Sequence, residues 1–105
     1  MIARTWHGAV PAAKAEAYHQ YLLRTGVPGV RGTPGNLGVT ILRRIAEHVA
    51  HFQFTSYWTS LDAIRAFAGD DIEVAHYYPE DAGYLLALEP HVTHYEVLEP
   101  PGLPG

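Results

Sequence analysis

Residues 49–69 read VAHFQFTSYWTSLDAIRAFAG, and the hydrophobic period changes partway along them. In the first ten positions His51, Gln53, Thr55 and Tyr57 alternate with Phe52, Phe54, Ser56 and Trp58, the period of two expected of a strand with one face on a core. Ser60 then supplies a hydroxyl suited to capping a helix N-terminus. Leu61, Ile64, Phe67 and Ala68 follow at helical spacing, and Gly69 ends the run. A strand therefore runs straight into a capped amphipathic helix.

Working outward gives the rest of the plan. Residues 37–46 carry Val39, Thr40 and Ile41 and predict a strand joined to 49–58 through a turn at Ala46-Glu47-His48. Residues 25–36 (TGVPGVRGTPGN) hold four Gly and two Pro and read as a connector. Their Gly spacing matches neither a dinucleotide fingerprint nor a phosphate loop. Residues 11–24 predict a helix with Tyr18, Tyr21 and Leu22 on one stripe. Residues 2–10 predict a strand with Ile2, Arg4 and Trp6 on one face and Ala3, Thr5 and His7 on the other. Downstream, Asp70 or Asp71 caps a further helical turn through His76, and Pro79-Glu80-Asp81 starts a helix running to about Leu86. Residues 90–98 predict a last strand, and the Pro/Gly-rich residues 99–105 a tail. The expectation is one α+β domain over 1–98 with the order β-α-β-β-α-β. That is the ferredoxin-like split βαβ plan, a four-stranded antiparallel sheet with helices on one face. The opposite face has nothing in this chain to cover it, so a second copy of the chain is expected there.

Composition narrows the function classes. The chain has 105 residues, 7 Lys+Arg against 11 Asp+Glu and a net charge of −4, which argues against a nucleic-acid partner. The absence of Cys excludes disulfide and thiolate chemistry. No apolar run suits a membrane span and no leader is visible, so a cytoplasmic location without a membrane partner is expected. Charge is uneven: residues 1–44 hold six basic side chains and one acid, residues 45–105 one base and ten acids. The halves suit either a mutual contact or a dipolar solvated surface.

Seven His and seven Tyr are the hint of chemistry. His48/His51 and His91/His94 are each three apart, which on strands points the two rings to opposite faces, so no metal site is expected. Ser56 and Ser60 lie outside any nucleophile motif, and Asp70-Asp71 and Glu80-Asp81 read as helix starts. The cluster His76-Tyr77-Tyr78 is different in kind. A His can take a phenolic or acidic C–H proton, and Tyr hydroxyls and the Trp58 N–H can hold the resulting oxyanion. An electron-rich anion in a dry aromatic pocket can then react with O₂ without a cofactor.

The segment Tyr57-Trp58-Thr59-Ser60 through Gly69, the later Ala75-His76 and the closing Val92-Thr93-His94-Tyr95-Glu96-Val97 resemble the antibiotic biosynthesis monooxygenase-like superfamily of dimeric α+β barrels. The resemblance spans roughly residues 1–98. It implies a homodimer with a pocket between helices and sheet, and a cofactor-independent monooxygenase, or a related oxidation or isomerisation catalyst, acting on a small aromatic or polyketide-like substrate. His76, Trp58 and Tyr77 would be catalytic, and Tyr78, Arg4, Trp6 and Phe67 substrate-binding. The superfamily also contains haem-degrading enzymes, in which a helix-borne His after the Ala ligates iron and a Trp ends the third strand. His76 and Trp58 hold those positions, while Thr5-Trp6-His7 stand where these members have an Asn. The alternatives are thus a haem protein with His76 as axial ligand, or a non-catalytic dimeric ligand-binding protein.

Overall fold

The computed structural model describes residues 1–99; the tail expected over 99–105 lies almost wholly outside them. Strand β1 (Ile2–Pro11) is followed by a 3₁₀ turn (Ala12–Lys14), helix α1 (Ala15–Arg24) and a short helix α2 (Gly26–Arg31). Strands β2 (Asn36–Ala46) and β3 (Val49–Trp58) form a hairpin, and helix α3 (Leu61–Ala68) leads to a second 3₁₀ turn (Pro79–Gly83) and strand β4 (Thr93–Glu96). The sheet order is β2-β3-β1-β4 with every neighbouring pair antiparallel, the ferredoxin-like arrangement.

Strand alternation sorts the faces as the sequence predicts. Arg4 pairs with Ser56 and Trp6 with Phe54 on the helix side, while Thr5 meets Thr55 and His7 meets Gln53 on the other. The core lies between the sheet and the helices, and Val10, Tyr18, Tyr21, Phe52, Trp58 and Ile64 are its largest fully buried side chains. Each contributes roughly 1.5–3 kcal/mol of transfer free energy. Ser60 caps α3 as expected, its hydroxyl accepting from the Ala63 N–H at 3.1 Å.

Four expectations are corrected. Residues 25–36 are not a plain connector: Gly26–Arg31 are helical, because Val27 and Val30 are buried three apart and Pro28 falls in the first turn, where it removes no helical bond. No helical turn carries Ile72 to His76. This segment is irregular and is tied to residues 90–92 by Ala75 N–H to the Pro90 carbonyl and Val92 N–H to the Glu73 carbonyl. The helix expected from Pro79 to about Leu86 stops at Gly83 as a 3₁₀ turn. Strand β4 is confined to Thr93–Glu96, where β1 offers it a partner along Ile2–Thr5.

Candidate functional site

A cavity of about 330 Å³ opens between the sheet, α1, α2 and the segment after α3. Arg4 and Trp6 of β1 and Phe54 and Ser56 of β3 form its floor. Tyr18 and Leu22 of α1, with Thr25, Gly26 and Val30, form one wall. Phe67, His76, Tyr77, Tyr78, Asp81 and Val92 complete it. Gly26 matters to the fit: a Cβ there would stand 3.2 Å from the Phe54 ring, so the bare backbone lets α2 lie close on the floor.

The structure brings together six of the seven residues singled out from sequence: His76, Tyr77, Tyr78, Arg4, Trp6 and Phe67 all line the cavity. His76 Nε2 lies 2.7 Å from the Ala68 carbonyl. A carbonyl can only accept, so this nitrogen carries a hydrogen and Nδ1 is the nitrogen left to meet a guest. Tyr77 is spoken for on two sides. Its hydroxyl donates to the Glu89 carbonyl at 2.6 Å and accepts from the Trp6 indole N–H at 2.9 Å. Burial, the largest influence, raises the Tyr77 phenol above its usual range. Tyr78 is exposed, with its hydroxyl 3.4 Å from the Thr25 carbonyl.

Trp58 is not among the residues lining the cavity. It sits behind the wall with no exposed surface, its N–H donated to the Ser56 hydroxyl at 2.8 Å and its ring 5.5 Å from that of Phe67. Alternation puts Trp58 on the correct face of β3 but does not give depth, and the indole N–H expected to meet substrate is satisfied inside the protein.

Arg4 is 6 % exposed. Its guanidinium donates to the carbonyls of Ile72 and Val74, the latter at 3.2 Å, and lies 3.2 Å from His94 Nε2. It sits over the Phe67 ring at 5.9 Å, so the cation–π partner is Phe67 and not the neighbouring Trp6 on its own strand. Burial lowers its pKa to about 10, which leaves it charged at neutral pH. Burial first, and the Arg4 charge second, lower the pKa of His94, consistent with a neutral ring accepting from the guanidinium.

Two cavity residues were missed as site residues. Asp81 does begin a 3₁₀ turn, its Oδ2 accepting from the Tyr78 N–H at 2.6 Å, but it is also buried on the cavity wall, and burial raises its pKa. Tyr18 looked like one of a helix stripe. Its buried phenol lines the same cavity, and burial followed by the nearby Asp81 charge raises its pKa, so the hydroxyl keeps its proton and can donate. Only the carboxylate beside a helix-start proline could have hinted at Asp81; nothing local marks Tyr18.

His76 Nε2 is committed to the Ala68 carbonyl and His76 lies in an irregular segment, not on a helix, so a haem iron would be met through Nδ1. The cavity volume is at the low end of the roughly 300–1,000 Å³ of small-molecule sites and suits one or two fused rings. Among the described residues no group of three or more His, Asp or Glu is placed to hold a metal ion, and no helix is long and apolar enough to cross a membrane.

The chain was compared with known proteins. No known family profile matches it, and no curated protein does. Solved structures do. A protein from Nitrosomonas europaea described as an antibiotic biosynthesis monooxygenase aligns with a TM-score of 0.65 at 17% identity, over 94% of this chain and 100% of its own. One so described from Bacillus cereus aligns with a TM-score of 0.67 at 12% identity, over 97% of each chain. The haem-degrader MhuD from Mycobacterium tuberculosis, solved with two haems in its active site, aligns with a TM-score of 0.64 at 20% identity, over 97% of this chain and 100% of its own. With its four-stranded antiparallel sheet, single helical layer and near-complete overlay on these structures, the chain has the fold of the antibiotic biosynthesis monooxygenase-like superfamily.

Proposed function

We propose that the protein is a cofactor-independent oxidation catalyst, a monooxygenase of a small aromatic substrate held in this cavity. The observation that carries the reading is one open cavity uniting the Nδ1 edge of the His76 imidazole, a buried cation and a phenol donor among aromatic walls. His76 Nδ1 takes a proton from an acidic C–H of the substrate. Tyr18 donates to the substrate oxygen as negative charge develops there, in the field of the buried Arg4 cation. Trp6, Phe54 and Phe67 exclude water, so the anion gives its electrons to O₂. The hydroperoxide that forms loses water as the second hydrogen leaves the same carbon. A CH₂ becomes C=O, one atom of O₂ ends in that carbonyl and the other in water, and no external reductant is consumed. In this reading Trp58 and Tyr77 brace the wall and Tyr78 flanks the substrate.

The uncovered sheet face, which carries Leu42, Tyr57 and Tyr95 among Thr5, Thr40 and Thr55, fits a second copy of the chain. The expected solution species is a homodimer.

The test is O₂ uptake with a panel of acidic phenols and anthrone-type ketones. Wild-type protein should consume one O₂ per product carbonyl, and His76→Ala should lower the rate about a hundredfold or more. No uptake across the panel, or an unaffected His76→Ala, refutes the assignment. A Soret band on titration with haem, lost in His76→Ala, would establish the haem reading in its place.

A further inference from the structure

Arg4 is a buried cation with only neutral partners. Two backbone carbonyls and a neutral imidazole accept from it, and among the described residues no carboxylate lies within ion-pair distance. Of the five N–H groups of a guanidinium, those contacts occupy two on Nη1 and one on Nη2. The Nε–H and the second Nη2–H have no acceptor among the described residues. Guanidinium N–H groups without an acceptor are suited to a carboxylate. A buried charge normally has a counter-charge, because desolvating it alone is costly. Arg4 lines the cavity, so a guest there is placed to supply the missing partner.

Asp81 lines the same cavity with no cation in ion-pair contact. Arg4 is set among Phe67, Val74 and His94, while Asp81 is set beside Tyr78 and near Tyr18. The cavity is thus polarised, with a cationic region on the sheet floor and an acceptor region under the 3₁₀ turn.

We propose that the ligand of this cavity is a planar hydroxyaryl carboxylate of one or two fused rings, whose keto tautomer carries the acidic CH₂ beside its carbonyl, with its carboxylate paired with Arg4 and its hydroxyl facing Asp81 and Tyr18. This rests on the cavity being the substrate site, and it narrows the substrate from any small aromatic to an aromatic acid. A carboxylate-bearing haem offers the same anionic group by its propionates, and the experiment separates the two sources.

The probes are 3-hydroxy-2-naphthoate and its carboxamide, titrated under nitrogen and followed by quenching of tryptophan fluorescence. The acid should bind at least tenfold more tightly than the amide. Arg4→Met should remove that preference, the acid losing about tenfold more affinity than the amide, and Arg4→Lys should keep a part of it. A merely structural Arg4 would lower both affinities together. If Arg4→Met fails to fold, the wild-type comparison decides. Equal affinities, tighter amide binding or no binding of either probe at millimolar concentration overturns the proposal. A preference confined to haem over its dimethyl ester, with no naphthoate bound, overturns the small aromatic acid as well. Binding is read without turnover, so absent O₂ uptake refutes the monooxygenase assignment alone, and an acid–amide equality refutes this proposal alone.

Discussion

The pair behind the cavity wall offers a quantitative check. Ser56 is 2 % exposed and Trp58 not at all. The indole N–H donates to the Ser56 hydroxyl at 2.8 Å, and that hydroxyl reaches the Arg4 carbonyl only at 3.5 Å. Ser56→Ala therefore leaves a buried indole donor without its acceptor. The cost of such an orphaned group is about 1–3 kcal/mol. For a domain of this size 1 kcal/mol moves Tm by roughly 4–8 °C, so a fall on the order of 10 °C is expected. Trp58→Phe removes the donor together with part of the ring and costs packing instead. In the double variant the orphan no longer exists, so the two losses should fall short of adding by about 1 kcal/mol or more. Urea and thermal melts at one fixed protein concentration measure all four corners, which matters if the chain self-associates. A Ser56→Ala change under about 0.5 kcal/mol, or strict additivity, would refute the reasoning that Trp58 is a sealed structural donor.

Two other outcomes are expected. Burial raises the Asp81 pKa, so folding favours its protonated form and the ionised group costs stability only above the unfolded value of about 3.9. Asp81→Asn keeps an acceptor for the Tyr78 N–H and should gain on wild type as pH rises through the window between the unfolded and folded values, the gap holding at neutral pH and closing in acid; urea melts at several pH values would refute this by showing a constant gap. Leu42 is 53% exposed on the open sheet face, and Leu42→Asp should halve the solution mass of the proposed dimer by light scattering without loss of secondary structure, whereas a wild-type mass of one chain would remove the dimer.

Most of the fold was legible because it rests on strict local signals. Period-two alternation in 49–58 sorted Phe52, Phe54 and Ser56 onto the helix side, and the Ser60 hydroxyl marked the start of α3. Helix α2 was hidden because Gly and Pro have poor intrinsic propensity, and only tertiary burial of Val27 and Val30 outweighs it. The segment through His76 looked helical for the converse reason: its residues suit a helix, but backbone pairing with Pro90 and Val92 took their hydrogen bonds. The site was half legible. Chain adjacency delivered His76, Tyr77 and Tyr78 together, and strand parity delivered Arg4 and Trp6. Trp58 needed depth and Asp81 needed burial, and both depend on three-dimensional packing that no single stretch records.

Gly26 carries a separate lesson. The spacing between α2 and the sheet floor there is held by a missing methyl, since a Cβ would press the Phe54 ring at 3.2 Å. Adding one carbon would lift the helix or tip the ring and so alter headroom for a guest, leaving Arg4, His76, Tyr18 and Asp81 chemically intact. The girth of what enters and the charge it must bear are therefore governed by different stretches of chain, and one can be retuned without rewriting the other.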